Sequence, residues 1–325
     1  LAFQTQSNAM RGLLLSLSGC LLVVGLSAQS VRPQVIAGGG TTNALPNGGT
    51  LKSTIGQPVI GPAGWPNTLL TQGFHQPAPE RVGAFPKVFL DGPLVSGLMN
   101  DNLRTLPSFP LTEPYSSLPG YTHIGSGFET VSPNVLGITG NNAIVDWVFM
   151  ELRSASDNTV VKATAVGLVQ RDGDVVAPDG VNAVSFVAVP GLYFLVVRHR
   201  NHLAIMSANT ISLGPLAVPV NFTNGSVATF GGAAAQRLNG SVRAMWAGDV
   251  TGNGQVKYAG GSNDRDPILV AIGGTVPTST TSGYAGTDVN LNGATKYTGS
   301  ANDRDVILTT VGGSVPTATR STFVP

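Results

Sequence analysis

Residues 184–200 read VSFVAVPGLYFLVVRHR, two strand-like runs joined by a turn. Pro190-Gly191 supplies that turn, because proline fixes one dihedral and glycine permits a positive one. On the second run Leu192, Phe194, Val196 and Arg198 share one face, and Tyr193, Leu195, Val197 and His199 share the other. Both faces are apolar at the start, so this strand belongs in the middle of a sheet, and its polar end, Arg198 to His202, must emerge from the core. Upstream, Ile144–Leu152 (IVDWVFMEL) and Val160–Gln170 have the same character, with Asp172-Gly173 and Asp179-Gly180 marking turns. Several short strands with regular turn punctuation predict a mainly β fold, a β-sandwich (Ig-like or jelly-roll-like) over residues 87–245. Trp147, Phe149, Phe186 and Phe194 are its expected core.

Composition agrees with many short strands. The 325 residues include 42 Gly and 22 Pro, only 11% are charged, and the net charge is +1. That balance argues against a broad basic surface, and so against nucleic acid or anionic lipid as a partner. Residues 29–78 read as a small β-rich segment with strands at Val31–Ala37, Thr50–Ile60 and Thr68–Phe74. Residues 79–86, proline-flanked and containing Gly83, read as a linker. The first 28 residues read as upstream residues and a signal peptide. Met10-Arg11 gives a short positive region, Gly12–Leu26 an apolar run too short to span a bilayer, and Leu26-Ser27-Ala28 a cleavage site. The expected mature chain begins near Gln29, is secreted or surface-located, and has no membrane span. Leu17-Ser18-Gly19-Cys20 also resembles a lipoprotein box, which would anchor the chain at Cys20, its only cysteine.

The tail, residues 246–325, is a duplication. Shifting Asp249–Thr278 by 39 residues onto Asp288–Thr317 leaves about 18 of 30 positions identical without a gap. Each copy opens with side-chain oxygens at alternate positions followed by glycine: Asp249, Thr251, Asn253, Gly254, and Asp288, Asn290, Asn292, Gly293. Alternate residues of a curled loop can point inward together, which suits a hard, oxygen-seeking cation such as Ca2+. The backbone carbonyls of Gln255 and Ala294 are the next expected ligands. An ordinary EF-hand loop closes with a carboxylate at its twelfth position, where this chain has Gly260 and Gly299. An expanded loop is expected instead, bulged at Lys257-Tyr258 and Lys296-Tyr297. Asp266 and Asp305 are the expected closing ligands, with Asp264 and Asp303 as alternates. The apolar runs Ile268–Ile272 and Ile307–Val311 are expected helices ended by glycine. A polar turn duplicated without metal is the plainer alternative.

DVTGNG and DVNLNG, each upstream of an apolar helix-like run, resemble the ligand openings of type I dockerins, which carry two calcium-loop-plus-helix repeats. STIGQPVIG, LLTQGFHQP, KVFLDGP, IVDWVFMELR, VQRDGDVV and VVRHRNHL resemble large secreted hemagglutinin-like, adhesin-like or dockerin-repeat proteins of Bacteroidetes-type bacteria. That resemblance implies an exported protein with two Ca2+ sites that binds an extracellular glycan or another surface protein. Self-association into a surface layer or fibre is one alternative, and a glycan-active hydrolase with the tail as an appendage is another. No nucleophile elbow, zinc-protease helix or P-loop is present in the sequence, so no catalytic residue is assigned. His199 and His202 sit among Arg198, Arg200 and Asn201, and the two arginines repel a cation placed between the histidines. Arg198 or Arg200 is expected to pair with Asp146, Glu151 or Asp172 from neighbouring strands.

Overall fold

The computed structural model describes residues 79–325 throughout and, before them, the backbone of four short strands. The chain divides into two compact units, residues 1–77 and 78–325. In the first, β1 (Gly40–Ala44) pairs antiparallel with β2 (Thr50–Thr54), and β3 (Ala63–Trp65) with β4 (Thr68–Leu70). The expected export segment and the strand at Val31–Ala37 lie outside the described residues.

The second unit is mainly β. Its largest sheet has six antiparallel strands. β8 (Ile144–Ser154) lies between β9 (Val161–Gln170) and β12 (Gly191–His199). β10 (Val175–Val176) extends one edge, while β13 (His202–Met206) and β14 (Ile211–Leu213) pair with the far side of β12. β8 is buried along all but its last residue, as its nearly unbroken apolar sequence requires. Trp147, Phe149 and Phe186 are fully buried. Phe194 departs from expectation and is only half-buried. It shares its face with exposed Leu192, whereas Tyr193, Leu195 and Val197 opposite are buried.

The segment read as a linker is a correction. β5 (Arg81–Lys87) is the middle strand of a second sheet, antiparallel to β11 (Val184–Val187) and parallel to β15 (Val218–Asn221). Its Val82, Ala84 and Pro86 are buried while Arg81 and Phe85 are exposed, a period-two alternation beneath the Pro and Gly punctuation. Gly83 is needed there because a Cβ would come within 2.9 Å of the Ala217 Cβ. Both sheets contribute to one apolar core, including Val82, Ala84 and Phe186 from the smaller and Trp147, Phe149, Leu168 and Leu195 from the larger. This arrangement is compatible with a β-sandwich. Among the described residues no helix is long and apolar enough to cross a membrane.

The tail belongs to the same compact unit. Each repeat runs loop, short strand, turn, helix, strand. The first contains β18 (Gln255–Lys257), α2 (Arg265–Ala271) and β19 (Thr280–Ser282); an earlier short helix, α1, spans Pro133–Leu136. The second contains β20 (Ala294–Lys296), α3 (Asp303–Thr310) and β21 (Thr319–Ser321). The strands pair across repeats: β18 with β21, and β19 with β20. Ala247, Val256, Ile268, Val289, Ile307 and Val311 form a second, smaller core, joined by Leu203 from the large sheet. Both helices end as expected, with Gly273 (φ 103°) and Gly312 (φ 109°) in a conformation that favours glycine.

Candidate metal centre

The two loops are built alike. In the first, the Asp249 carboxylate accepts the backbone N–H groups of Asn253 and Gly254, both at 3.0 Å, and Asn253 Oδ1 accepts that of Gln255 at 2.8 Å. The equivalents in the second are Asp288 accepting Asn292 (3.1 Å) and Gly293 (2.7 Å), and Asn292 accepting Ala294 (2.9 Å). Asn290 Oδ1 also accepts Asn292 N–H at 3.1 Å. Alternate oxygens thus curl the backbone around themselves, as the sequence spacing implied.

The carboxylates that reach the loops are Asp264 and Asp303, the alternates. Asp264 Oδ1 accepts the backbone N–H (3.0 Å) and hydroxyl (2.9 Å) of Thr251, and its Oδ2 accepts Lys257 N–H (2.8 Å). Asp303 Oδ1 accepts from Val289 (2.7 Å) and Asn290 (3.2 Å), and its Oδ2 from Lys296 (2.8 Å). Asp266 and Asp305, the residues preferred from sequence, do not approach the loops' carboxylates. Their side chains are 56% and 55% exposed and pair with Arg265 and Arg304, each at 3.0 Å. They also complete reciprocal helix caps. Asn263 and Asn302 accept the N–H of Asp266 and Asp305 (2.9 Å each) and donate back to their carboxylates (2.8 Å each). The Asn of each Asn-Asp-Arg-Asp cluster caps, the first Asp faces the loop, and the second Asp completes the cap.

Asp249, Asp264, Asp288 and Asp303 are all buried. Among the described residues none of the four forms an ion pair with a basic side chain. Burial and then the Asp264 charge push Asp249 up to about 7. Burial and the charge of Asp288 push Asp303 up to about 7, opposed by its backbone hydrogen bonds. Burial likewise raises Asp264, against three backbone donors. Asp288 rises only to about 6, because the Arg200 guanidinium opposes burial. Oδ1 of Asp264 and of Asp303 already accepts two hydrogen bonds, whereas their Oδ2 atoms and both oxygens of Asp249 and Asp288 accept one each and keep lone-pair capacity. In each loop two buried carboxylates lie close enough for the charge of one to raise the other, and the same loop carries the Thr251 hydroxyl and Asn253 amide or the Asn290 and Asn292 amides, an oxygen-only set of the kind a hard divalent cation takes.

Beneath the second loop lies a buried polar junction. The Asp146 carboxylate meets Arg200 (2.8 Å), His199 Nε2 (3.1 Å) and the Tyr284 hydroxyl (2.7 Å). Burial raises Asp146, but Arg200, His199 and Tyr284 outweigh it and hold the carboxyl below its ordinary value. Burial lowers both His199 and His202, in His199 against the opposing pull of Asp146. Arg200 also donates to the Ala285 carbonyl, and Asn201 Nδ2 to those of Gly286 (3.0 Å) and Asp288 (2.8 Å), so this junction ties the large sheet to the tail. The expected arginine pairing is present: Arg200 with Asp146, and Arg198 with Glu151 at 2.9 Å. A bulge in β8 between Ile144 and Asp146 helps turn Asp146 toward the tail, which strand periodicity alone does not reveal.

Beside the first loop is a cleft of about 280 Å³ lined by Tyr121, Arg153, Arg198, His202, Asp249 and Thr322. Arg198 lies over the Tyr121 ring, 4.3 Å from its centroid. Comparisons of this chain with protein-family models, with curated proteins and with solved structures find no match.

Proposed function

We propose that the protein is an exported, calcium-stabilised extracellular binding or adhesion protein, with one Ca2+ held in each tail repeat. The single observation that carries the calcium reading is the facing pair of buried carboxylates in each loop, Asp249 with Asp264 and Asp288 with Asp303, without an ion-paired basic side chain. A bound cation would supply the positive charge those pairs lack. Asp249, Thr251, Asn253 and the carbonyl of Gln255 would hold it from one side and Asp264 from the other. In the second loop the corresponding groups are Asp288, Asn290, Asn292, the carbonyl of Ala294, and Asp303. Asp266 and Asp305 serve the helix caps in this reading. The tail is then a dockerin-like pair with a longer loop, appended to a sandwich formed by the two sheets.

Export rests on the pattern of residues 10–28. Binding rests on the cleft beside the first loop, whose arginines and tyrosine suit a polar ligand, either an extracellular glycan or a segment of another surface protein. The test is calorimetric titration of the chelator-stripped full chain with Ca2+. The expected result is two ions per chain with dissociation constants of about 10⁻⁴–10⁻³ M, the range of extracellular modules. Asp264→Asn and Asp303→Asn should each remove one ion. No calcium heat from a folded chain would leave the loops as polar turns held by Asp side chains alone. A glycan array with the calcium-loaded protein then separates glycan binding from assembly.

A further inference from the structure

A different cluster lies away from the tail, where the chain folds back before β8. Glu113 N–H donates to the Glu129 carbonyl (2.9 Å), and Thr112 pairs with Thr130, so a short antiparallel contact sets residues 113 and 129 side by side. The Glu113 carboxylate is buried and accepts N–H groups from Tyr115 (2.7 Å) and Phe128 (3.0 Å) and the Ser116 hydroxyl. His123, on the loop between them, stands edge-on to buried Phe149, with ring centroids 5.1 Å apart at 81°. One ligand atom from each of Glu113, His123 and Glu129 lies within 4.8 Å of the others.

The imidazole makes this cluster more than two acids near a histidine. His123 Nε2 is shielded from solvent and has no hydrogen-bond partner, although Glu113 Oε1 is 3.5 Å away. The other ring nitrogen is engaged. Nδ1 lies 3.1 Å from Ser126 Oγ, which lies 2.8 Å from Thr164 Oγ1, which in turn reaches the Ile124 carbonyl at 3.4 Å. Donation along that line, Nδ1–H to Ser126 to Thr164 to carbonyl, gives every proton an acceptor. In that tautomer Nε2 is a lone pair 3.5 Å from Glu113 Oε1, which is repulsive unless a cation lies between them, whereas the reverse direction would leave Nε2–H with no acceptor nearer than that same 3.5 Å. A metal-ligating histidine commonly has its second nitrogen held in this way.

The geometry points to a transition-metal site of the zinc class formed by Glu113, His123 and Glu129, separate from the tail loops. The nitrogen decides the class, since calcium and magnesium take oxygen donors, whereas zinc accepts imidazole and carboxylate together. Zinc bonds of about 2.0–2.1 Å place two tetrahedral ligands roughly 3.3–3.5 Å apart, which matches the 3.5 Å between Nε2 and Oε1. Three protein ligands leave a fourth position for water or a ligand oxygen.

The experiment uses the full chain, stripped with chelator, then titrated with Zn2+ in excess Ca2+ so that oxygen-only sites are filled. One Zn2+ per chain is expected. His123→Ala should weaken binding by more than about 100-fold, and Ser126→Ala, which only frees the ring, by about 10- to 100-fold. Glu129→Gln keeps shape and lies on a half-buried residue, so it decides the matter if His123→Ala fails to fold; it should also lose the ion. Absence of zinc binding by the folded chain, or binding unchanged in a folded His123→Ala or Glu129→Gln variant, overturns the assignment.

Discussion

The two tail loops share their Asp-Val openings, their Asn-Gly turns and their Asn-Asp-Arg-Asp clusters, yet they rest against different things. At their fourth position the first has Gly252 and the second Leu291, and both backbones are left-handed, with φ of 67° and 55°. Gly252 adopts that conformation without strain, and a Cβ there would meet nothing within 4 Å. Leu291 takes it at a cost of about 1–2 kcal/mol, and its side chain is fully buried in the main core, which returns about 1.5–3 kcal/mol. Burial wins, and the second loop is pinned to the sheets. Gly92 makes the same point, since a Cβ there would fall 2.0 Å from the Val289 carbonyl oxygen. The first loop is held instead by the end of the described chain, where Thr322 N–H donates to the Gly254 carbonyl at 2.8 Å. Near-identical loop sequences therefore carry different amounts of built-in order: the second loop is held by the sheets beneath it, and the first by fewer neighbours.

The largest expected effect comes from removing the cation under the second loop. Arg200→Met leaves Asp146 buried without its main counter-charge and should cost about 3–5 kcal/mol in urea unfolding. Hydrogen exchange in the second loop should then rise to match the first. Equal protection of both loops in the unaltered protein would break the comparison. Leu291→Gly makes the second loop resemble the first. Lost burial, partly offset by relieved strain, should destabilise the protein by roughly 1–3 kcal/mol, with calcium-dependent protection of that loop appearing where little existed.

Acidity sharpens the contrast further. The loop carboxylates are raised above 3.8 by folding, so in metal-free protein they contribute stability that is complete below about pH 4 and lost as pH climbs through 6 to 7. His199 and His202 act oppositely: lowered from 6.5, they contribute stability above that value which is lost as pH falls. With calcium bound as proposed, protons would compete with it. Affinity of both loops should fall about tenfold per pH unit below 7, where Asp249 and Asp303 titrate, and that of the second should steepen below about 6, where Asp288 titrates as well. Calorimetry of Asp249→Asn and Asp288→Asn variants, each leaving one site, reads the two curves separately. The smallest effect belongs to the caps: Asp266→Ala and Asp305→Ala should each cost about 1 kcal/mol and retain both ions.

Much of this was visible in the sequence, for identifiable reasons. The duplication, the helices ended by glycine and the buried strand around Trp147 are local patterns, and local patterns survive in one dimension. β5 was hidden because its Gly83 and Pro86, with Pro79 just before it, mimic a linker while its partners, residues 184–187 and 218–221, lie a hundred residues and more downstream. Choosing between Asp264 and Asp266 required the direction of the helix start: with Asn263 as the cap, residue 266 turns outward and residue 264 inward. Glu113, His123 and Glu129 share no spacing motif. They meet because two loop segments cross, and nothing in residue order announces a crossing.

The exchange of strands between repeats carries a consequence of ancestry. β18 in the first half is completed by β21, which follows the second helix, and β20 in the second half by β19, which follows the first. A gene encoding one repeat alone would have made a chain whose strand had no mate until another copy arrived. A single-repeat unit of this kind would be suited to work as a symmetric pair, each molecule lending its final strand to the other. Joining two copies in one chain would make that partnership permanent and leave the halves free to differ, as they do with glycine at position 252 and leucine at 291.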